Sequence, residues 1–264
     1  MSRLQIEFRR LFLATDSACA DGAVPTLDLV DADGRVRALV IELARPAEWQ
    51  PLADVWMGVQ TELGLPAPAI AVNGTDGMQL WFSVAAPLDA ARAQSFLNGL
   101  RHRYLAAVKP ERLGLMTGAD SALAACATAL SGSAGASHEA NGRWPAFVAP
   151  DLAPIFAETP WLDLPPGDEG QARVLAGLES IKPALFEAAL AQLQAWADAP
   201  TVNAAAAAAA AGSVTSEHDV QADGHPEAQR FLLSVMNDEA APLALRIEAA
   251  KALLPFGRSG GRTI

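Results

Sequence analysis

The spacing of apolar and polar positions changes several times along the chain, and each change predicts an element. Residues 3–13 of MSRLQIEFRRLFL alternate apolar with polar side chains and read as a strand. VPTLDLV (24–30) and RVRALVIEL (35–43) flank DADG, with Asp and Gly where a tight hairpin turn needs them. Pro46 opens a helical pattern in which Val55, Val59 and Leu63 recur at i, i+4 beside Leu52 and Trp56, and Gly64 stops it. AIAVN (69–73) is a strand, NGTDG a turn, and Met78–Val84 a second strand. From Asp89 a second helix carries Phe96, Leu97, Leu100, Tyr104 and Leu105 on one stripe, and RLGLMT (112–117) is a further short strand.

This order predicts an α+β fold, with a largely antiparallel sheet and helices on one face. Residues 119–130 are Ala-rich and helical in pattern, and SGSAGASHEANG (131–142) is a loop. The Pro-rich stretch after it is expected to wrap the core, anchored by Trp144, Phe147, Phe156 and Trp161. A helix over 171–196 is expected to break near Pro183, because proline removes a helix hydrogen bond. Together these make a core over 1–196. Residues 197–224, with eight consecutive alanines, form a linker. A helical hairpin follows over 225–256, too small to be stable alone, and 257–264 are a loose tail.

Composition narrows the function classes. Of 264 residues 51% are hydrophobic, enough for a packed core. No stretch reaches the length and apolarity of a membrane span, and the N-terminus interleaves charges where a signal peptide would carry an apolar run. Cys19 and Cys126, few and far apart, fit a reducing compartment, so a cytoplasmic location without membrane association is expected. The net charge is −11 and no third of the chain is basic, which weighs against strong unassisted nucleic-acid binding. Arg101, His102, Arg103, Lys109 and Arg112 form the single basic cluster, read as the solvated end of a helix.

Most signatures of chemistry are missing. His102, His138, His218 and His225 have no metal-ligand spacing, so no metal site is expected from them. There is no GxSxG elbow, no GxGxxG and no GxxxxGK[ST]. DLVDADG lacks the spaced Glu of a calcium loop and reads as a hairpin.

What remains is VNGTDGMQLWF (72–82) and the strand LVIELARP (39–46) before it. Over roughly residues 35–105 this arrangement resembles the archaeo-eukaryotic primase superfamily, and most of all the polymerase domains attached to bacterial end-joining DNA ligases. There an hDhD strand supplies carboxylates for two metal ions, and a later turn of the S-G-x-x-G-x-H kind places a His on the nucleotide triphosphate. Asn73, Gly74, Thr75, Asp76, Gly77 and Gln79 match that turn in glycine spacing and become nucleotide-binding candidates. The resemblance puts Glu42 at the first Asp position and Ala44 at the second, and Gln79 at the His. Asp120, after RLGLMTGA, is the candidate for a further carboxylate. Two-metal catalysis needs clustered carboxylates, so the resemblance implies a degenerate site, with no cofactor expected and Mg²⁺ only if an active site survives. Each matched residue also has a plain structural reading: Glu42 and Gln79 as polar positions of alternating strands, Asn73 and Asp76 as turn formers. A weaker resemblance links FLLSVMNDEAAPLALRIEAAKALLPF to phage terminase small subunits, through Phe231, Met236, Asp238, Arg246, Ala249, Ala250 and Pro255.

Three functions follow as expectations. The first is a non-catalytic primase-like protein acting in protein interaction or weak nucleotide or nucleic-acid binding. Its protein partner, or a second copy, would be met through residues 225–256. The second is a metal-dependent nucleotidyltransferase using Glu42 and Asp120, with Asp76 as a further candidate ligand. The third is a mobile-element DNA-handling or assembly protein.

Overall fold

The computed structural model describes residues 1–14, 27–132 and 142–198. Residues 197 and 198, expected to start the linker, belong to the last described helix; the rest of the expected linker, the helical hairpin over 225–256, the 257–264 tail and most of the 131–142 loop lie outside the described residues. Eleven regular elements follow in order: α1 (Arg3–Phe12), β1 (Arg35–Ala44), α2 (Trp49–Thr61), β2 (Ala69–Val72), β3 (Gly77–Asp89), α3 (Ala90–Tyr104), β4 (Leu113–Thr117), α4 (Ser121–Leu130), β5 (Ala146–Val148), α5 (Asp168–Ala176) and α6 (Pro183–Asp198).

The α+β class stands. The sheet is antiparallel between every pair of neighbours, in the order β4-β1-β3-β2-β5. Within it, β1-α2-β2-β3-α3-β4 is a split βαβ unit, in which each crossover helix joins two parallel strands separated by a third. β5 extends the sheet at one edge. Gln171 closes that edge: its carboxamide accepts from Phe147 N at 2.6 Å and donates to Phe147 O at 3.0 Å, standing in for one residue of a further strand.

Two expectations change. Residues 3–13 are a helix, not a strand. Leu4, Phe8, Leu11 and Phe12 share its buried face at helical spacing, while Ile6, which the alternating reading would also bury, is exposed. Ser2 and Gln5 form a capping box that satisfies the first free N–H groups. Of the strand expected over 24–30, the described residues 27–30 form only the bridge Val30–Val36, although the turn forms with Gly34 at φ +78°. Its Asp31 carboxylate accepts from the Arg35 and Asp33 amides, which hold its pKa below the usual value.

The sheet is covered on both faces, not on one. Val36, Leu39, Ile41, Leu43, Leu80 and Phe82 pack on one side with α2, α3 and α6. Ala38, Val40, Ala71, Trp81 and Phe147 pack on the other with α1, α4 and α5. Consecutive apolar residues in both central strands are what burial on two faces requires. On the second face Phe8, Phe12, Trp81 and Phe147 contact one another, with ring centroids 5.2–6.2 Å apart. The break predicted near Pro183 is present: α5 and α6 are separate, and Pro183 opens the second.

The Pro-rich stretch runs back over the core as expected. Phe147 is buried, and Trp144, Phe156 and Trp161 are half-buried. Trp144 and Leu162 exchange backbone hydrogen bonds at 2.8 and 2.9 Å, which closes residues 144–162 into a strap over the β2–β3 turn.

Candidate functional site

The β2–β3 turn is tied together from inside. Asn73 Oδ1 accepts from the backbone N–H of Thr75 (2.8 Å), Asp76 (3.0 Å) and Gly77 (3.0 Å), and from Thr75 Oγ1 (2.9 Å). Consecutive backbone N–H groups in a turn can make an anion cradle. Here they converge on a side chain of the turn itself.

Both glycines have structural reasons. Gly74 lies at φ +80°, and its N–H donates to Pro160 O at 3.1 Å. A Cβ there would sit 2.9 Å from Pro145 N. At Gly77 a Cβ would meet Asn73 Nδ2 at 2.8 Å and Ala44 Cβ at 3.1 Å. The Gly-x-x-Gly spacing therefore admits the strap on one side and β1 on the other.

Behind the turn lies a polar network on the α1/α4/α5 side of the sheet. The register puts Glu42 of β1 directly opposite Gln79 of β3. Gln79 is fully buried, and its Nε2 donates to Glu42 Oε2 at 2.5 Å, while its Oε1 accepts from Trp81 Nε1 at 2.8 Å. Asn73 Nδ2 reaches the same Glu42 oxygen at 3.3 Å. Cys126 of α4 stands 3.6 Å from Gln79 Nε2. Burial pushes its thiol pKa up; the Gln79 contact opposes that rise and the Glu42 charge adds to it, leaving a protonated, unreactive thiol at neutral pH. This is the chemistry of buried polar groups satisfying one another.

The other candidates do not join this network as a metal site. Asp120 precedes α4, and its Oδ2 accepts from Thr117 N at 2.6 Å and Thr117 Oγ1 at 3.2 Å. Thr117 pairs with Leu39, three residues along β1 from Glu42, so strand rise alone separates the two positions by about 10 Å. Among the described residues no three His, Cys, Asp or Glu side chains come together to hold a metal ion. Thr75 and Asp76 are exposed at the turn's tip, where Asp76 lies 3.8 Å from Arg45 Nη1.

Two members of the basic cluster are engaged locally. Arg103 pairs with Glu62 at 2.8 Å and stacks on Trp196, and Arg112 reaches Glu48 at 3.2 Å and donates to Pro46 O at 2.7 Å.

Beside the turn is a cavity of about 500 Å³, which pattern reading did not anticipate. The loop after β1 forms one wall with Arg45, Pro46, Ala47 and Glu48. Thr75 and Asp76 form the second, and Ala157, Glu158, Pro160 and Trp161 of the strap the third. Arg45 holds a left-handed backbone (φ +55°), and its N–H donates to Asp76 O at 3.3 Å. The walls come from segments more than 100 positions apart in the chain, so nothing in local spacing announces the cavity.

No protein-family model matches the chain, and no curated protein matches it closely.

Proposed function

We propose that the chain is a non-catalytic protein built on a primase-type sheet, and that its work is to bind another protein. The observation that carries this reading is the closed network around Gln79. Glu42 lies directly opposite Gln79 in the register, which supports the primase likeness: the family's carboxylate strand and its nucleotide-contacting turn would adjoin in this way. Yet Glu42 is held by two amides, Gln79 is buried against Trp81, and the turn's N–H groups point at Asn73. The turn's own N–H groups at 75–77 are therefore not free for a triphosphate, and Asp76 would repel it.

Nucleic-acid binding is supported still less. RNA-recognition sheets stack bases on aromatics of an open face. Here the face opposite the crossover helices lies under α1, α4 and α5, and its aromatics pack on one another.

Isothermal titration of the full chain with a nucleoside triphosphate and Mg²⁺, with a primer-extension assay beside it, tests the reading. No saturable heat and no extended product are expected. Metal-dependent nucleotide addition, lost in Glu42→Gln, would overturn it and restore the nucleotidyltransferase.

A further inference from the structure

We infer that the cavity between the Arg45–Glu48 loop, the β2–β3 turn and the 157–161 strap binds an extended peptide segment that carries a basic side chain beside prolines or small apolar residues. The inference rests on the protein-binding reading above and names the partner's chemistry. At about 500 Å³ the cavity can seat one or two side chains with their backbone.

Its floor is apolar and preformed. Pro46, Ala47, Ala157, Pro160 and Trp161 supply surface that loses little conformational entropy on binding. Its rim carries Glu48, Asp76 and Glu158 against Arg45, so the lining has a net charge of −2. These carboxylates are not equally engaged. Glu48 is held by Arg112 at 3.2 Å. Asp76 accepts neutral hydrogen bonds from Asn73 Nδ2 at 3.4 Å and Thr75 Oγ1 at 3.3 Å, but its nearest cation, Arg45, is 3.8 Å away and is drawn aside by Glu111 O at 3.2 Å. Glu158 has no ion-pair partner among the described residues. An incoming guanidinium or ammonium therefore finds two carboxylates with charge to spare.

One face of the Trp161 ring is already covered by the Arg143 guanidinium, 3.9 Å from its centroid, so an incoming cation is met by the rim carboxylates and Trp161 contributes apolar surface. The turn that shapes one wall is internally braced by Asn73, so the site needs little reorganisation to bind. An aromatic-and-proline floor with acidic residues at its rim suits an extended Pro-rich segment with Arg or Lys, whose own backbone is already stiff.

The test uses the full chain and fluorescence anisotropy with labelled Ala-Pro-Arg-Pro-Arg-Pro-Ala, and with its twin carrying Glu in place of both Arg. Saturable binding of the Arg peptide is expected, weakened by salt, with none of the Glu twin. The Asp76→Asn/Glu158→Gln variant alters two exposed side chains, so its thermal midpoint should match the parent. It should bind roughly fivefold more weakly. Trp161→Leu should bind more weakly still. Equal binding of both peptides, equal binding by the double variant, or no saturable binding would overturn the site. If the peptide fails while nucleotide titration is also silent, the non-catalytic reading stands and only this site falls. Nucleotide addition would remove both.

Discussion

Gln79 illustrates how one side chain can look functional and act as a brace. Its carboxamide spends donor and acceptor on Glu42 and Trp81 in a fully buried position. Removing it strands the buried Trp81 indole N–H and takes one of two amide donors from the half-buried Glu42 carboxylate, which costs more than a surface hydrogen bond would. Gln79→Leu, nearly equal in volume, is expected to lower stability by about 1–3 kcal/mol. Thr75→Ala at the exposed tip of the same turn should cost under about 0.5 kcal/mol. Urea unfolding of both variants checks the contrast; equal midpoints would show that the network does not hold the sheet. Glu42 and Gln79 were singled out in the sequence separately, through a resemblance; the register sets them opposite each other. That the pair closes on itself was not legible, because Trp81, Cys126 and Asn73 reach it only through packing.

At the scale of elements, close approach sets the chemistry of the contacts. Helices α3 and α6 meet at Gly99, where a Cβ would lie 2.9 Å from Leu193 Cβ. Arg92 and Glu187 pair across the same two helices. Gly170 in α5 faces open space. Replacing a helical glycine with alanine gains about 0.5–1 kcal/mol from reduced backbone freedom. At Gly99 overpacking costs about 1–3 kcal/mol and outweighs that gain. Thermal unfolding should therefore show Gly170→Ala stabilised and Gly99→Ala destabilised; the same sign for both would refute the close crossing. Helix α1 shows how period reading fails. LQIEF satisfies both an alternating and a helical pattern over five residues, and only Leu11 and Phe12, with the Ser2–Gln5 capping box, decide between them.

For the whole molecule the described residues form a sheet wrapped on both faces, and no described helix is long and apolar enough to cross a membrane. Its alkaline limit should be set in part by Tyr104, the last residue of α3, which packs against Gly58 of α2. Burial, and then the Glu62 carboxylate beside its hydroxyl, raise the pKa to about 12. The unfolded chain ionises near the ordinary value of about 10. Tyr104 thus contributes stability that is intact below pH 10 and is lost as pH rises towards 12, because the unfolded state gives up its proton first. As Tyr104 is the single tyrosine of the chain, phenolate absorbance reads it directly. A midpoint at 10 in the folded protein would refute the burial, and Tyr104→Phe should flatten the fall in stability over that range.

Read alone, the sequence reached whatever local pattern controls. It specified the α+β class, the helices opening near Pro46 and Asp89, the turn at Asn73–Gly77 and the stop at Gly64. Periodicity, turn chemistry and proline act over a few residues, so they survive without any knowledge of the fold. Packing was needed to show that both sheet faces are covered, that Asn73 consumes the turn's donors, and that Arg45, Asp76 and Trp161 enclose one cavity. Those facts depend on segments far apart in the chain being brought within a few ångström of one another, and no spacing along the sequence encodes that distance.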